Sequence, residues 1–251
     1  MRRKLDLPKS TMYLLFSTLY DIVSPDLLRS GTMLKISCLY DLSHTMAKDY
    51  LAGFTYPWEA LADISDLILS LGASLGEDYT EVSENVWVHK TAKIMPSAYL
   101  AGPCIIGAGT EVRHCAFIRG SALIGEGCVV GNSTELKNVI LFDGVQVPHY
   151  NYVGDSILGY KAHMGAGSLT SNVRGDKKLV VIHGEENIPT NRKKVGAMIG
   201  DFGEIGCNSV LNPGVVIGRN AQVYPTSCVR GVVPENGIYK NNGTIAMKQE
   251  G

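Results

Sequence analysis

The sequence has little of what marks several common functional classes. Basic and acidic residues nearly cancel: 23 against 24 leave a formal net charge of -1 over 251 residues, which gives no global field to draw in nucleic acid or an anionic membrane. Any basic site has to be local. Six cysteines (Cys38, Cys104, Cys115, Cys128, Cys207, Cys228) show no CxxC spacing and are too sparse for a secreted disulfide scaffold. They point to reduced thiols in a cytoplasmic protein and to no metal site. There is no GxSxG nucleophile elbow, no Walker-type phosphate loop and no obvious catalytic pair of carboxylates. The opening "MRRKLDLPKSTMYLLFSTLYDIVS" puts basic residues before an apolar run, as a signal peptide does. Pro8, Asp21 and the want of a small-residue cleavage site argue against one, and the run is too short to span a bilayer. A packed N-terminal helix is the expectation there, with Met33 an alternative start.

What is present is an apolar fraction of 45%, enough for one large domain with a smaller appendage. Residues 57 to 72, "PWEALADISDLILSLG", place Leu61, Ile64, Leu67, Ile68 and Leu71 on one helical face between Pro57 and Gly72, and predict an amphipathic helix. Past about residue 85 the period changes. Val88, Ile94, Leu100, Ile106, Val112, Ile118, Ile124, Val130 and Leu136 recur every six residues, and small residues such as Ala98, Cys104, Thr110 and Ala116 follow four later. Neither a helix nor an ordinary sheet has that period. It is the mark of a parallel β-helix, whose coils bury one aliphatic side chain per short strand and need their neighbours to form a core.

The phase slips by one after Leu136, and the pattern resumes at Ile199, Ile205, Leu211, Ile217 and Val223. Residues 170 to 198 interrupt it, and a loop of that length in a solenoid is usually functional. The expected organisation is a helical region over 1 to 85, a β-helix over 86 to 235 carrying the inserted loop, and a tail over 236 to 251. The helical region is expected to cap the first coil, which would otherwise expose unpaired strand edges.

The period resembles that of the hexapeptide-repeat family, which implies eighteen residues per coil, and on that count Arg119 and Lys137 stack on one corner, about 4.8 Å apart. Two cations so close repel. Either an anion such as a phosphate bridges them, or both are solvated and their stems cover apolar surface. Further on, "VPHYNYVGDSILGYKAHMGAG" at 147 to 167 is unusually polar for a solenoid. Histidine as a residue type suits removal of a proton from a nucleophile at neutral pH, which makes His149 a candidate base, although a lone groove histidine is often only a surface residue.

The run "PHYNYVGDSILGYKAHMGAGSLTSNVRGDKK" resembles the acetyltransferase half of the bifunctional glucosamine-1-phosphate N-acetyltransferase/N-acetylglucosamine-1-phosphate uridyltransferases. With "RKKVGAMIGD", it is similar also to archaeal sugar-1-phosphate nucleotidyltransferase/acetyltransferases. The similarity covers roughly residues 86 to 230. It implies a left-handed β-helix, a homotrimer with acetyl-CoA between neighbouring solenoids, and acetyl transfer to the 2-amino group of an amino-sugar 1-phosphate, with no metal required. By position His149 matches the general base, Tyr152 a sugar-contacting tyrosine, Arg119 and Lys137 the phosphate-binding cations, Lys178 a further phosphate lysine with Lys177 as competitor, and Asn172 an asparagine near the reacting groups. His163 stands where the bacterial enzymes have a sugar-contacting asparagine, which leaves the acceptor open. Val173 and Cys207 stand where the family has a tyrosine and a serine near the coenzyme, and Tyr224 is a candidate for coenzyme contact. "NPG" at 212 to 214 and "NRKK" at 191 to 194 are candidates for coenzyme contact, the latter equally for a solvated loop. Residues 1 to 85 hold nothing like the nucleotide loop of the uridyltransferase domain, so no uridyltransferase activity is expected, and a separate nucleotidyltransferase is a candidate partner. A non-catalytic solenoid binding a sugar phosphate or sugar nucleotide, or an acyltransferase with another acceptor, are the alternatives.

Overall fold

A computed structural model describes residues 33–249. The helix expected over the first 24 residues lies outside them. From residue 86 onward short parallel strands stack into a solenoid, coil on coil. One face is a ladder running through Lys93–Ile94, Glu111–Val112, Val129–Asn132, Gln146–His149, His163–Met164, Glu204–Ile205 and Gln222–Val223. The second runs through Tyr99–Leu100 and Phe117–Ile118 into the first part of Glu135–Leu141, then Tyr152–Leu158, Leu169–Thr170, Val210–Leu211 and Cys228–Val229. The third takes up Val86–His89, Cys104–Ile106 and Ala122–Ile124, the later parts of the two long strands, Ala197–Ile199 and Val215–Ile217. The mainly β, parallel β-helical class read from the six-residue period is what the strands form.

The period works because each coil points one aliphatic side chain per face inward. Ile106, Val112, Ile118, Ile124, Val130 and Leu136 have no solvent exposure. Coils are not uniform. Ile118 pairs with Leu136, eighteen residues on, but Leu136 pairs with Val153 and Leu141 with Leu158, seventeen on, which is the origin of the phase slip.

The helical residues sit elsewhere than expected. They pack along the third face rather than over the end of the first coil. That face carries a second, outward aliphatic column, Ile105, Leu123, Ile140, Ile157, Met198 and Val216, in register from coil to coil. All six are buried. Leaving them in water would cost about 1.5–3 kcal/mol each, so the helices are drawn to the flank. Backbone and side-chain hydrogen bonds fix them there. Asn138 donates to the Leu61 carbonyl at 3.1 Å, Tyr40 to the Ile157 carbonyl at 3.3 Å, and the Asp201 carboxylate accepts from the Asp41 amide at 2.7 Å. The first coil is covered instead by Tyr79–Ser83, antiparallel to Val86–His89.

The single helix expected over 57 to 72 is two elements, a 3-10 helix at Pro57–Ala62 and an α-helix at Ile64–Gly72. Asp63 between them has φ -118° and ψ 22°, outside the helical range, which turns Trp58 and Leu61 as well as Ile64 and Ile68 into the core. At the far end the ladder outlasts the expected boundary. Gly237–Tyr239 adds a strand to Gln222–Val223, and Ile245–Met247 folds back antiparallel on it, which covers the edge.

Candidate functional site

The corner between the second and third faces carries the chemistry. Ile118 pairs with Leu136, and the Arg119 amide donates to the Leu136 carbonyl at 2.9 Å, so Arg119 and Lys137 stack as the spacing predicts. Their electrostatics differ from the expectation. Arg119 donates to Glu135 at 2.7 Å, and Lys137 to Asp155 at 3.1 Å. Each cation has its own carboxylate, so the stacked pair needs no bridging anion to be tolerated. The bond from Arg119 to Glu135, with its charge, holds the guanidinium pKa above its ordinary value.

Asp155 is the centre of the cluster. It turns the corner at φ 48° and is 4% exposed. One oxygen accepts from Lys137 and from Asn138 at 2.9 Å, and the other from Asn172 at 2.5 Å. A buried carboxylate is stable only when its lone pairs are met in this way. Asn172 also donates to the Tyr152 hydroxyl at 3.2 Å. Partial burial first, then the charges of Asp155 and Glu135, push the Tyr152 phenol above its ordinary pKa. Gly154, one coil below Lys137, has no room for a side chain: a Cβ there would run into the Tyr152 phenol. The inserted segment leaves the solenoid from this same corner, between Leu169–Thr170 and Ala197–Ile199, and forms a hairpin of Val181–His183 with Asn187–Pro189.

His149 ends the strand Gln146–His149, on the first face and one turn before the cluster. Its imidazole is exposed, and among the described residues no side chain hydrogen-bonds it. Its backbone is firmly placed. The His149 amide donates to the Asn151 side chain at 3.0 Å, and that buried amide donates in turn to the carbonyls of Gly165 and Ser168 at 2.9 and 3.0 Å. Three residues beyond His149 the chain reaches Tyr152, across Tyr150 at φ 52°.

The remaining sequence candidates are more dispersed. His163 is half-buried on the first face, its Nδ1 bonded to Glu204 at 2.8 Å, and lines a cavity of about 570 Å³ with Gln146, Lys161, Phe202 and Glu204. Cys207 and Tyr224 are exposed further along that face, Cys207 in register with Ala166 and so two coils from His149. Lys177 and Lys178 are exposed on the inserted segment. Lys137, Tyr152 and Asn172 are therefore brought together around Asp155 with Arg119 alongside. His163, Cys207 and Tyr224 are not in that cluster. The sequence reading missed Glu135, Asn138, Asp155 and Glu204. Asp155 has a sequence signal, the aspartate of "YVGD".

Among the described residues there is no group of three or more His, Cys, Asp or Glu side chains placed to hold a metal ion, and no helix long and apolar enough to cross a membrane.

A family model described as the GMPPB C-terminal domain matches residues 100–188. The bifunctional sugar-1-phosphate nucleotidylyltransferase/acetyltransferase of Sulfurisphaera tokodaii is 30% identical over 217 residues, 80% of this chain and 54% of that protein. The bifunctional protein GlmU of Methanococcus maripaludis is 31% identical over 206 residues, covering 80% of this chain and 50% of the relative. The chain thus spans about half the length of these relatives. Among solved structures, a hexapeptide transferase family protein from Anaplasma phagocytophilum matches 66% of this chain and 81% of its own at 16% identity and a TM-score of 0.38. Over about 80% of its length the chain is similar to these two bifunctional proteins.

Proposed function

We propose that this chain transfers an acetyl group from acetyl-CoA to the 2-amino group of an amino-sugar 1-phosphate, glucosamine or galactosamine 1-phosphate. The observation that carries the reading is the corner cluster, in which Lys137, Tyr152 and Asn172 are fixed around buried Asp155 with Arg119 beside them. These are five side chains that hydrogen-bond or neutralise polar ligands, held rigid on a ladder. The relatives supply the chemistry: the similar Sulfurisphaera protein is a bifunctional nucleotidylyltransferase/acetyltransferase.

In this reading the acceptor amine, as the neutral base, attacks the thioester carbonyl. A C–N bond forms, the C–S bond breaks, and coenzyme A leaves as the thiolate, which receives the amine's proton back from His149 to become the thiol. His149 takes the proton that the amine loses, Arg119, Lys137 and Lys178 face the phosphate, and Tyr152, His163 and Asn172 orient the ring. Orientation of two bound reactants can supply up to about 7–11 kcal/mol of the barrier, against about 10²- to 10⁴-fold in rate for a general base. Fixing the acceptor therefore matters more than the base, which fits a rigidly hydrogen-bonded cluster and an exposed imidazole. A homotrimer with acetyl-CoA against Cys207 and Tyr224 completes the proposal, and six free cysteines support a reducing, cytoplasmic setting.

The test is release of free thiol from acetyl-CoA by the purified chain with each amino-sugar phosphate. Turnover with loss of at least a hundredfold in His149→Ala supports the reading. Binding of the sugar phosphate with no turnover would replace it with a non-catalytic binding module.

A further inference from the structure

The two ends of the inserted segment run side by side at the ion-paired corner. Val173 bridges Lys194, the Val195 amide donates to the Asn172 carbonyl at 3.0 Å, and the Val180 amide to the Arg192 carbonyl at 2.8 Å. This base gathers Arg174, Lys177, Lys178, Arg192, Lys193 and Lys194 against Asp176 alone. Asp176 is taken: Arg174 binds both its oxygens, at 2.9 and 2.8 Å, and holds its carboxyl well below the usual range.

A cavity of about 340 Å³ at this place is lined by Asp155, Asn191, Arg192, Lys193 and Lys194. Its one carboxylate is fully engaged by Lys137, Asn138 and Asn172. Lys137 also cancels its charge, so Asp155 does not bar an anion from the space. Among the described residues Arg192, Lys193 and Lys194 form no ion pair within 4.0 Å. The imbalance is sharp: the two cations that the sequence singles out, Arg119 and Lys137, are each paired with a carboxylate of the solenoid, while three consecutive cations over the same corner are not. Isolated exposed lysines signify little. These are pinned by the Val173 and Asn172 ladder over a concavity, next to Lys137, and their charges add where an anion would sit.

We propose that Arg192, Lys193 and Lys194 form the clamp for the acceptor's phosphate, so that the inserted segment, more than Arg119 and Lys137, supplies the countercharge of a phosphomonoester. The inference rests on the sugar-phosphate reading above. It gives the interruption of the repeat a purpose: the solenoid ladder fixes the sugar and the insert brings the charge.

Calorimetric titration of the full chain tests it, with inorganic phosphate, glucosamine 1-phosphate and adenosine 3′,5′-bisphosphate, the phosphate end of coenzyme A. Wild type is compared with Lys193→Gln and with the combined Arg192→Gln, Lys193→Gln, Lys194→Gln variant. The triple variant is expected to lose at least tenfold in affinity for phosphate and for the sugar phosphate, and the single variant at least threefold, with the bisphosphate unaffected. Lys193 is exposed, so the single variant decides if the triple does not fold. Unchanged phosphate affinity in folded variants, no phosphate binding by wild type, or a loss confined to the bisphosphate overturns the clamp. Loss of phosphate affinity in the variants, with no acetylation of glucosamine 1-phosphate by wild type, leaves the clamp standing and removes the acceptor reading.

Discussion

The Lys137 ammonium donates to the Asp155 carboxylate of the next coil at 3.1 Å, and of the two it is Asp155 that is buried, its side chain 5% exposed against 30% for the lysine. The carboxylate is thus the fixed point, and Lys137 is one of three donors around it. Lys137→Met leaves Asp155 with two amide donors and some access to water, and should cost about 1–3 kcal/mol. Asp155→Asn should cost more, because its amide nitrogen must face the amide of Asn138 or Asn172, donor against donor. Urea denaturation of both variants and the double variant checks the order. A lysine variant less stable than the asparagine variant would show that the cation, not the carboxylate, holds the corner.

The six-residue period was legible in the sequence because each face buries one aliphatic residue, and the stacking of Arg119 on Lys137 followed once the family resemblance supplied eighteen residues per coil. The partners of those cations were not. Glu135 lies sixteen residues beyond Arg119, two short of a full coil, and reaches it only because both side chains project from adjacent strands. Spacing read in whole coils passes over it. The flank packing had a signal that went unused, since Ile105, Leu123, Ile140 and Ile157 each precede an inward aliphatic residue. An outward aliphatic residue on a strand needs a cover, and the only unassigned apolar segment was the helical one. Asp63 gave no comparable warning of a break: aspartate is tolerated within helices, and only the tertiary pull on Trp58 and Leu61 interrupts this one.

Thiol reactivity should divide five of the six cysteines by position, Cys38 being only partly exposed. Cys104 and Cys128 are buried in the coil, and burial pushes both thiols up to about 12, so neither forms appreciable thiolate at neutral pH. Cys115, Cys207 and Cys228 are exposed. Native labelling with an alkylating reagent, located by peptide mass, should modify these three rapidly, and Cys104 and Cys128 only after denaturation. Fast native labelling of Cys128 would mean that the solenoid opens locally at that coil.

Stability should fall at alkaline pH through Tyr40. Its hydroxyl bonds to the Ile157 carbonyl and its ring lies 5.1 Å from that of Phe142. Burial first, and then the nearby charge of Asp201, raise its pKa well above the ordinary value of a tyrosine. A folded-state pKa above the unfolded one stabilises fully below the unfolded value, about 10, and that contribution is lost as pH rises toward the folded value. Denaturation midpoints should therefore hold between pH 8 and 9 and drop above 10. Tyr40→Phe should flatten the drop, at a cost of about 0.5–1.5 kcal/mol for the lost hydrogen bond at neutral pH. An equally steep fall in that variant would place the alkaline sensitivity elsewhere.

The pair of His163 and Glu204 separates orientation from proton transfer. Glu204 accepts from Nδ1 at 2.8 Å, which fixes the ring and leaves Nε2 as its free nitrogen, on a residue that lines the cavity with Lys161 and Phe202. A ring so held suits contact with a sugar hydroxyl, as proposed. Glu204→Ala frees the ring to rotate and removes an interaction that the acceptor makes equally in the ground and transition states. Its effect should then fall on KM for the amino-sugar phosphate, by about three- to tenfold for one hydrogen bond, with kcat held. Steady-state rates from pH 6 to 9 make the distinction. A fall in kcat together with a displaced pH profile would transfer the role of base from His149, whose imidazole no carboxylate orients among the described residues, to the histidine that has one.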